Sequence, residues 1–561
     1  MQRNLVSLLL IAATITGVGS CSRTDKGGIA VPKDATLVVH IDAPSITSKV
    51  SWQEIQQTEW FKEIYADESV DTLTKKIMDD PSNSGIDIKG DMVFFMKRQG
   101  QGGYSAFEGS VSNAGAFEEF NKKINKGGTV SKEGDINILK MGLRSILAWN
   151  DKRFVYVNDA PIGALAGRLQ GNAGNYSEPY QFPADSLQKF GVQLFDLEKK
   201  NSLMNDDRFA SLIKEPGDIH FWSDAGQALS GLSAIFGMVR NLSALVEDNV
   251  SATTLNFENG KIAMKTKTYY NKQLKELMDK YPPGEVSADV INRIPSQNVS
   301  AVFVMKYPPA GLKDLIRLIG VDGIVNSFLA DNGYSVDEFV KANKGDLLLS
   351  VSDFQFSQRE ITIPNPDGEP YTMKSSAPDF KILFATSVND KAAFDKMIGV
   401  IKSKIPEEAM SGMLGKVSYQ LNDQWFAAGN APEHVNAFLA GGNNKQPFAS
   451  RISGKAFGGY INVQQLLRSS LPAVNDSSVI AVMDASIKMW QDIVITSGGK
   501  KDNYVSGEAE INLVDKNTNS LKQLNTYFNS LAVIFKKHKQ REYNVRMNPA
   551  ALFMPQWASY K

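Results

Sequence analysis

Ser110-Val111 followed by Ala116-Phe117, and Ser387-Val388 followed at the same spacing by Ala393-Phe394, decide the architecture. In each stretch an apolar run gives way to polar residues and then to apolar residues at helical spacing. Each therefore reads as a strand ending where an amphipathic helix begins. The parallel extends outward from both. Upstream, Lys89-Gly90-Asp91 and Lys344-Gly345-Asp346 are polar turns that lead into the apolar strands 92–96 and 347–351. Earlier still, strand-type runs at 37–41 (after Pro32) and 302–305 (after Pro295) open the two halves. Downstream, Asn150-Asp151 with Phe154 matches Asn422-Asp423 with Phe426, as a hairpin turn between two strands. Phe209-Ala210-Ser211 and Phe448-Ala449-Ser450 precede the strands 219–222 and 456–461. Each half closes with two strands and a helix, at 272–280 and 520–535.

Matched pieces in one order predict an internal duplication. The divide falls at Tyr281-Pro282-Pro283-Gly284, a turn-forming linker short enough that the halves pack together. The expected organisation is a signal peptide at 1–20, a tether at 21–30, a first α+β domain at 31–280, and its duplicate at 290–561 with a C-terminal tail. Strands mostly neighbour strands, with helices interspersed. The fold class is therefore α+β: two homologous halves, each with a largely antiparallel sheet. The first half carries a polar insertion around 171–185 followed by a helix towards Lys200. The second carries a turn at Pro364-Asn365-Pro366-Asp367-Gly368 between strand-like flanks.

The amino terminus fixes the expected compartment. Arg3 precedes an apolar run at 5–18, about 14 residues long against the roughly 20 that a spanning helix needs, as in a secretory signal. The run ends in Val18-Gly19-Ser20-Cys21, which is similar to the bacterial lipobox. That similarity implies that the Cys21 thiol takes a diacylglyceryl group, that the bond before it is cut, and that the new amino terminus is acylated. Several acyl chains are needed because one binds a bilayer only marginally. Cys21 is the only cysteine, so no disulfide within the chain is possible, and the cores must carry its stability. At 561 residues they have room to do so. Lys plus Arg equals Asp plus Glu at 61 each, which argues against a nucleic-acid partner.

Val31-Pro32-Lys33-Asp34-Ala35, Ser84-Gly85-Ile86-Asp87 and Gly217-Asp218-Ile219-His220-Phe221-Trp222 bring out a resemblance. The chain resembles a lipoprotein family of Bacteroidota known as a domain of unknown function, over nearly the whole mature length. The resemblance implies a cell-envelope lipoprotein and supplies no activity, cofactor or catalytic residue. In such proteins an acidic cluster after the lipidated cysteine implies export to the surface. Ser22-Arg23-Thr24-Asp25-Lys26 lacks one, so the expected location is the outer membrane, lipid-anchored, on its periplasmic face.

Chemical signatures are sparse. His40, His220, His434 and His538 are scattered, with no helical pair and no thiol left as a ligand, so no metal site is assigned. A nucleophile elbow, a phosphate loop and a dinucleotide loop are all missing. Gly100-Gln101-Gly102-Gly103 reads as a hairpin. Asp151 and Asp423 sit at matching turns, where Asn-Asp is explained by local hydrogen bonding. Ser335 with Glu338 is a capping box, not part of a calcium loop. Trp52, Trp60, Phe61 and Tyr65 form a helical apolar stripe better suited to a core than to a sugar platform. The basic cluster from Lys536 to Arg541 reads as a solvated helix end, with anionic headgroups as the alternative. No catalytic, cofactor or metal residue emerges, and lipidation at Cys21 is the one assigned site. The expected function is a non-enzymatic binding or structural module for an envelope protein or glycan. The alternative is a glycan-directed hydrolase using unidentified carboxylates.

Lipidation of Cys21 has a direct check. Mass spectrometry of the mature amino terminus should find acyl chains on Cys21, and Cys21→Ala should retain its signal peptide. A lipid-free terminus cut upstream of Cys21 contradicts the assignment.

Overall fold

The structure is a computed structural model that describes residues 29–547 apart from 68–69, 101, 126–127, 161–180, 230–240, 242–244, 364–370, 405–416, 443 and 502. The signal peptide, Cys21, the tether to Gly28, most of the insertion at 171–185, the turn at 364–368 and the tail beyond 547 lie outside the described residues.

Ten strands form the first half: β1 (Ala35–Ile41), β2 (Met92–Gln99), β3 (Gly102–Ser110), β4 (Val130–Glu133), β5 (Ile136–Lys140), β6 (Ser145–Trp149), β7 (Arg153–Asp159), β8 (Ile219–Asp224), β9 (Val250–Glu258) and β10 (Lys261–Tyr269). Eight form the second: β11 (Val299–Lys306), β12 (Asn343–Ile363), β13 (Tyr371–Val388), β14 (Ser418–Leu421), β15 (Trp425–Gly429), β16 (Phe457–Ile461), β17 (Trp490–Lys501) and β18 (Tyr504–Leu513). Their pairings are antiparallel and run β4-β5-β6-β7-β3-β2-β1-β8-β9-β10 in the first half. The second half runs β18-β17-β16-β11-β12-β13-β15-β14. Apart from β4 and β5, the second order is the first reversed. The matched motifs thus occupy matched places in one repeated topology.

The match holds at the level of single residues. β1 carries an irregularity between Ala35 and Leu37, and β11 carries one between Val299 and Ala301. Asn113 caps the helix after β3 by accepting from the Ala116 amide at 3.0 Å, and Asp390 caps its counterpart through the Ala393 amide at 2.9 Å. Asn150 Oδ1 accepts from the Lys152 and Arg153 amides, and Asn422 Oδ1 accepts from those of Gln424 and Trp425. Both are Asx turns that close a hairpin. Phe117 meets Phe154 at a ring separation of 5.1 Å, and Phe394 meets Phe426 at 5.3 Å. Phe209 meets Trp222, as Phe448 meets Tyr460. Gly85 shows why the Ser-Gly-Ile-Asp stretch needs its glycine. Its φ is 77°, and a Cβ there would stand 2.3 Å from the Asn113 carbonyl oxygen and 2.4 Å from the Phe117 nitrogen.

The two antiparallel sheets are fused edge to edge. β10 pairs with β18 from Lys261 opposite Asn512 to Thr268 opposite Val505, which makes one sheet of 18 strands. The helices used below are numbered in chain order: α1 (Glu59–Ala66), α2 (Ala114–Ile124), α3 (Ala184–Phe195), α4 (Asp207–Lys214), α5 (Lys272–Lys280), α6 (Ala288–Asn292), α7 (Pro309–Leu318), α8 (Asp322–Ala330), α9 (Lys391–Lys404), α10 (Pro432–Ala440), α11 (Ala449–Ile452), α12 (Val463–Ser470), α13 (Ser477–Met489) and α14 (Ser520–Met547). The closing helix of each half crosses to the other. α5 packs on α7, where Asp314 Oδ2 accepts from Lys280 Nζ at 2.7 Å and from the Tyr281 hydroxyl at 2.8 Å. α14 packs on α1, where Asn529 Oδ1 accepts from the Glu59 amide at 2.6 Å, and Lys522 pairs with Glu54 on the preceding helix Trp52–Gln56. This reciprocal exchange and the shared strand pair hold the halves together.

Phe117 and Phe394 are 0% and 1% exposed. Phe117→Ala and Phe394→Ala should each lower unfolding free energy by about 3–5 kcal/mol in denaturant titrations. A cost below about 1 kcal/mol at either site would mean that the two pockets are not equivalent cores.

Candidate functional site

The two faces of the sheet are covered differently. On one face, α3 and α4 seal the first half over Val38, Phe95, Val155 and Trp222. On the same face, α6, α10 and α11 seal the second half over Val302, Leu348, Leu383 and Val494. The opposite face is sealed only towards its two outer ends. There α2 buries Phe117 against Trp149 and Phe154, and α9 buries Phe394 beside Phe426.

Between those ends the second face is apolar and incompletely covered. A single register line crosses ten neighbouring strands through Ile41, Ile219, Leu255, Met264, Ala509, Ile495, Gly459, Phe303, Leu349 and Phe384. At about 4.8 Å per strand this line is roughly 43 Å long. Glycine apart, these side chains are all hydrophobic, and none of them is fully buried. Ile495 and Leu349 are 36% and 37% exposed. Towards both ends of the line, strands such as β1, β11 and β12 are apolar on both sides, the composition of a doubly covered sheet, whereas at the junction β10 and β18 carry Lys265, Lys267, Glu508 and Glu510 on the other face. Among the described residues, the helices on this side bury few side chains, the largest share being Ser486, Ile487 and Met489 of α13. α5, α8 and α12 contain no fully buried side chain, and α7 buries only Gly311. On α8, Ile324 and Phe328 are 68% and 60% exposed, one helical turn apart.

The first half also buries polar groups for which the second half has no counterpart. His40 and His220, 180 residues apart in sequence, face each other across β1 and β8 with their Nδ1 atoms 3.0 Å apart. One ring must donate and the other accept. His220 Nε2 lies 3.0 Å from the Glu215 carbonyl oxygen, so that nitrogen donates. His40 Nε2 in turn lies 3.2 Å from Asp91 Oδ2, so the two rings and the carboxylate form one largely buried chain. Strand register places Val304 and Gly458 at the equivalent positions. Sequence spacing hid this pair, because only the β1–β8 register brings it together. His220 points away from its neighbours Ile219 and Phe221, as strand alternation requires. Asp218 alongside is fully buried and satisfied by Ser45, Lys49 and the Phe257 amide.

Glu108 on β3 is a second buried group. Its Oε1 accepts from the Ala30 amide at 2.9 Å, which ties down the first described residues of the chain. Burial raises its carboxyl from 4.5 to about 7, against the opposing pull of that hydrogen bond and of Arg153.

The other sequence candidates fall into structural roles. Trp52 and Phe61 are buried in a local core, and Trp52 Nε1 donates to the Met78 carbonyl. Ser335 caps its helix with Glu338, as expected. His434 lies 3.7 Å from Asp353. Asp151 is exposed and Asp423 is 90% exposed, at equivalent turns thirteen strand steps apart. A cavity lined by Tyr270, Lys275, Met278 and Tyr504 has a volume of about 10 Å³, room for little more than one water. Among the described residues, no helix is long and apolar enough to cross a membrane.

The family described as "Domain of unknown function (DUF4836)" matches residues 29–165 and 174–414, and the chain belongs to it. No curated protein matches. Among solved structures, crystal form III of TP0453 is 10% identical over 47% of this chain and 89% of its own, with a TM-score of 0.24. Crystal form I is 10% identical over 46% and 86%, with a TM-score of 0.25. Likenesses this slight support no argument.

Glu108 supplies a measurable pH signature. Its proton is held more tightly in the folded chain than in the unfolded one. Stability from this group is therefore greatest below about 4.5 and falls as pH rises towards about 7. The loss amounts to roughly 3 kcal/mol. Glu108→Gln keeps an acceptor for the Ala30 amide and should abolish this slope in denaturant titrations from pH 4 to pH 8. An unchanged slope would place the titration elsewhere.

Proposed function

We propose that this DUF4836 member is a non-enzymatic envelope lipoprotein, anchored through Cys21, that holds hydrocarbon chains of a lipid on the open apolar face of its sheet. The observation that carries this reading is the apolar register line from Ile41 to Phe384, partly exposed although helices seal the opposite face on either side of the β10–β18 junction. An apolar area of this extent is costly to leave open to water, and such areas mark binding sites. Along this line the strands are interior to the sheet, so their backbone groups are engaged in the ladders on both sides. The line offers apolar side chains and no hydrogen-bonding side chain. A hydrocarbon chain needs nothing more, whereas a glycan brings hydroxyl groups that would be left unsatisfied there.

The alternative partners fit less well. Extended peptides add to open sheet edges; the edge strands β4 and β14 are only four residues each, and the longer open edges, along 355–363 of β12 and 371–379 of β13, lie on the hairpin that projects beyond the apolar line. Glycoside hydrolysis needs two carboxyl groups within about 10 Å of each other. Asp151 and Asp423 stand in turns near opposite ends of the sheet.

The test is uptake of a fluorescent fatty acid by the purified protein, with competition by unlabelled fatty acid. Saturable uptake is expected. Leu349→Glu combined with Ile495→Glu should weaken it about tenfold or more, because a charge on the face must be desolvated by the bound chain. Uptake that these substitutions leave unchanged would remove the face from consideration.

A further inference from the structure

We propose that α14 docks on the surface of an anionic lipid bilayer through Phe528, Phe535 and the lysines that follow them. The argument rests on a different part of the molecule from the sheet face. At 3.6 residues per turn, Leu521, Leu524, Phe528, Leu531 and Phe535 share one stripe of α14. The stripe begins in the interior, where Leu521 packs against the cluster around Trp52 and Phe61. It then runs out of the core, and Phe528 and Phe535 are 54% and 52% exposed.

The helix is held at its sides and left free along this line. One flank is fixed to α1 by Asn529 and Lys536, both of which contact Glu59. The other is fixed to α13 and β17 by Tyr527, whose hydroxyl meets Ser486 Oγ at 2.8 Å and whose ring packs edge-on against Trp490. Between these flanks the two phenylalanines face outward from a rigid mount.

Charge identifies the surface they fit. Residues 520–540 contain four lysines and no aspartate or glutamate, in a chain whose formal net charge is zero; Lys522 and Lys536 pair with Glu54 and Glu59, which leaves Lys537 and Lys539 for the surface. Lys537 and Lys539 are exposed. Lys539 lies four residues beyond Phe535, so the apolar stripe ends in a cation whose aliphatic stem can lie along it while the ammonium reaches outward. Exposed aromatic rings beside the exposed Lys537 and Lys539 on an amphipathic helix are the composition of an interfacial helix on anionic lipid.

The test uses the full chain reconstituted on vesicles of phosphatidylcholine alone or mixed with phosphatidylglycerol. An environment-sensitive fluorophore is placed at Ala532→Cys, on the phenylalanine side of α14, or at Thr526→Cys, on the opposite side. The unsubstituted chain serves as the blank for Cys21. Spin-labelled lipid should quench the label at 532 several-fold more on anionic than on neutral vesicles, and should leave the label at 526 nearly unquenched. Phe528→Ser with Phe535→Ser, and separately Lys537→Glu with Lys539→Glu, should bring quenching at 532 down to the neutral-vesicle level. Fatty-acid uptake should stay unchanged in both variants, which separates this proposal from the one above. Equal quenching on neutral and anionic vesicles, equal quenching at 526 and 532, or no quenching on either vesicle overturns it. So does a label at 532 that is shielded by a bound acidic protein and not reached by lipid.

Discussion

The pairing of β10 with β18 is the interaction on which the rest of the structure depends. Each half ends in a strand hydrogen-bonded on one side only, to β9 or to β17. A free edge of that kind invites association with any other chain. Joining the two edges satisfies both at once and turns two medium sheets into one very wide one. The reciprocal contacts of α5 with α7 and α14 with α1 follow from the same approximate two-fold relation, because whatever one half does at the junction the other does in reverse. The unsealed apolar face is continuous across the junction for the same reason. It is built from both halves, and neither half alone presents it whole.

How much of this was legible in the sequence depended on how local the signal was. The duplication could be read because its markers carry out local tasks: Asn150 and Asn422 close hairpins, Asn113 and Asp390 cap helices, and Phe117 and Phe394 anchor those helices to the sheet. The family resemblance was legible for the same reason, since Gly85 in its Ser-Gly-Ile-Asp stretch is fixed by steric contact with the following helix. The junction was not legible. Strand-to-strand pairing between distant segments leaves no local pattern, and β10 and β18 alternate like any half-buried strands.

The open face escaped detection for a related reason. Strands that are apolar on both sides look identical in sequence whether one face or both are sealed, and only the helices decide the matter. α5 and α12 have strong amphipathic patterns and α8 is apolar in composition, all of which predict burial, yet none of the three buries a side chain fully. The His40–His220 contact was hidden by its sequence separation. α14 continues past 535 to Met547 because its lysine-rich continuation is composed of good helix formers. A cluster expected to mark a helix end thus lies within the helix.

The position of β18 at the end of the chain has a consequence for biogenesis. A polypeptide emerges from its amino terminus, so β10 is complete while its partner is still among the last segments to appear. Through that interval the first half presents β10 as a nine-residue edge strand without its partner. A chain that stalls or is clipped before Tyr504 would keep that edge permanently bare.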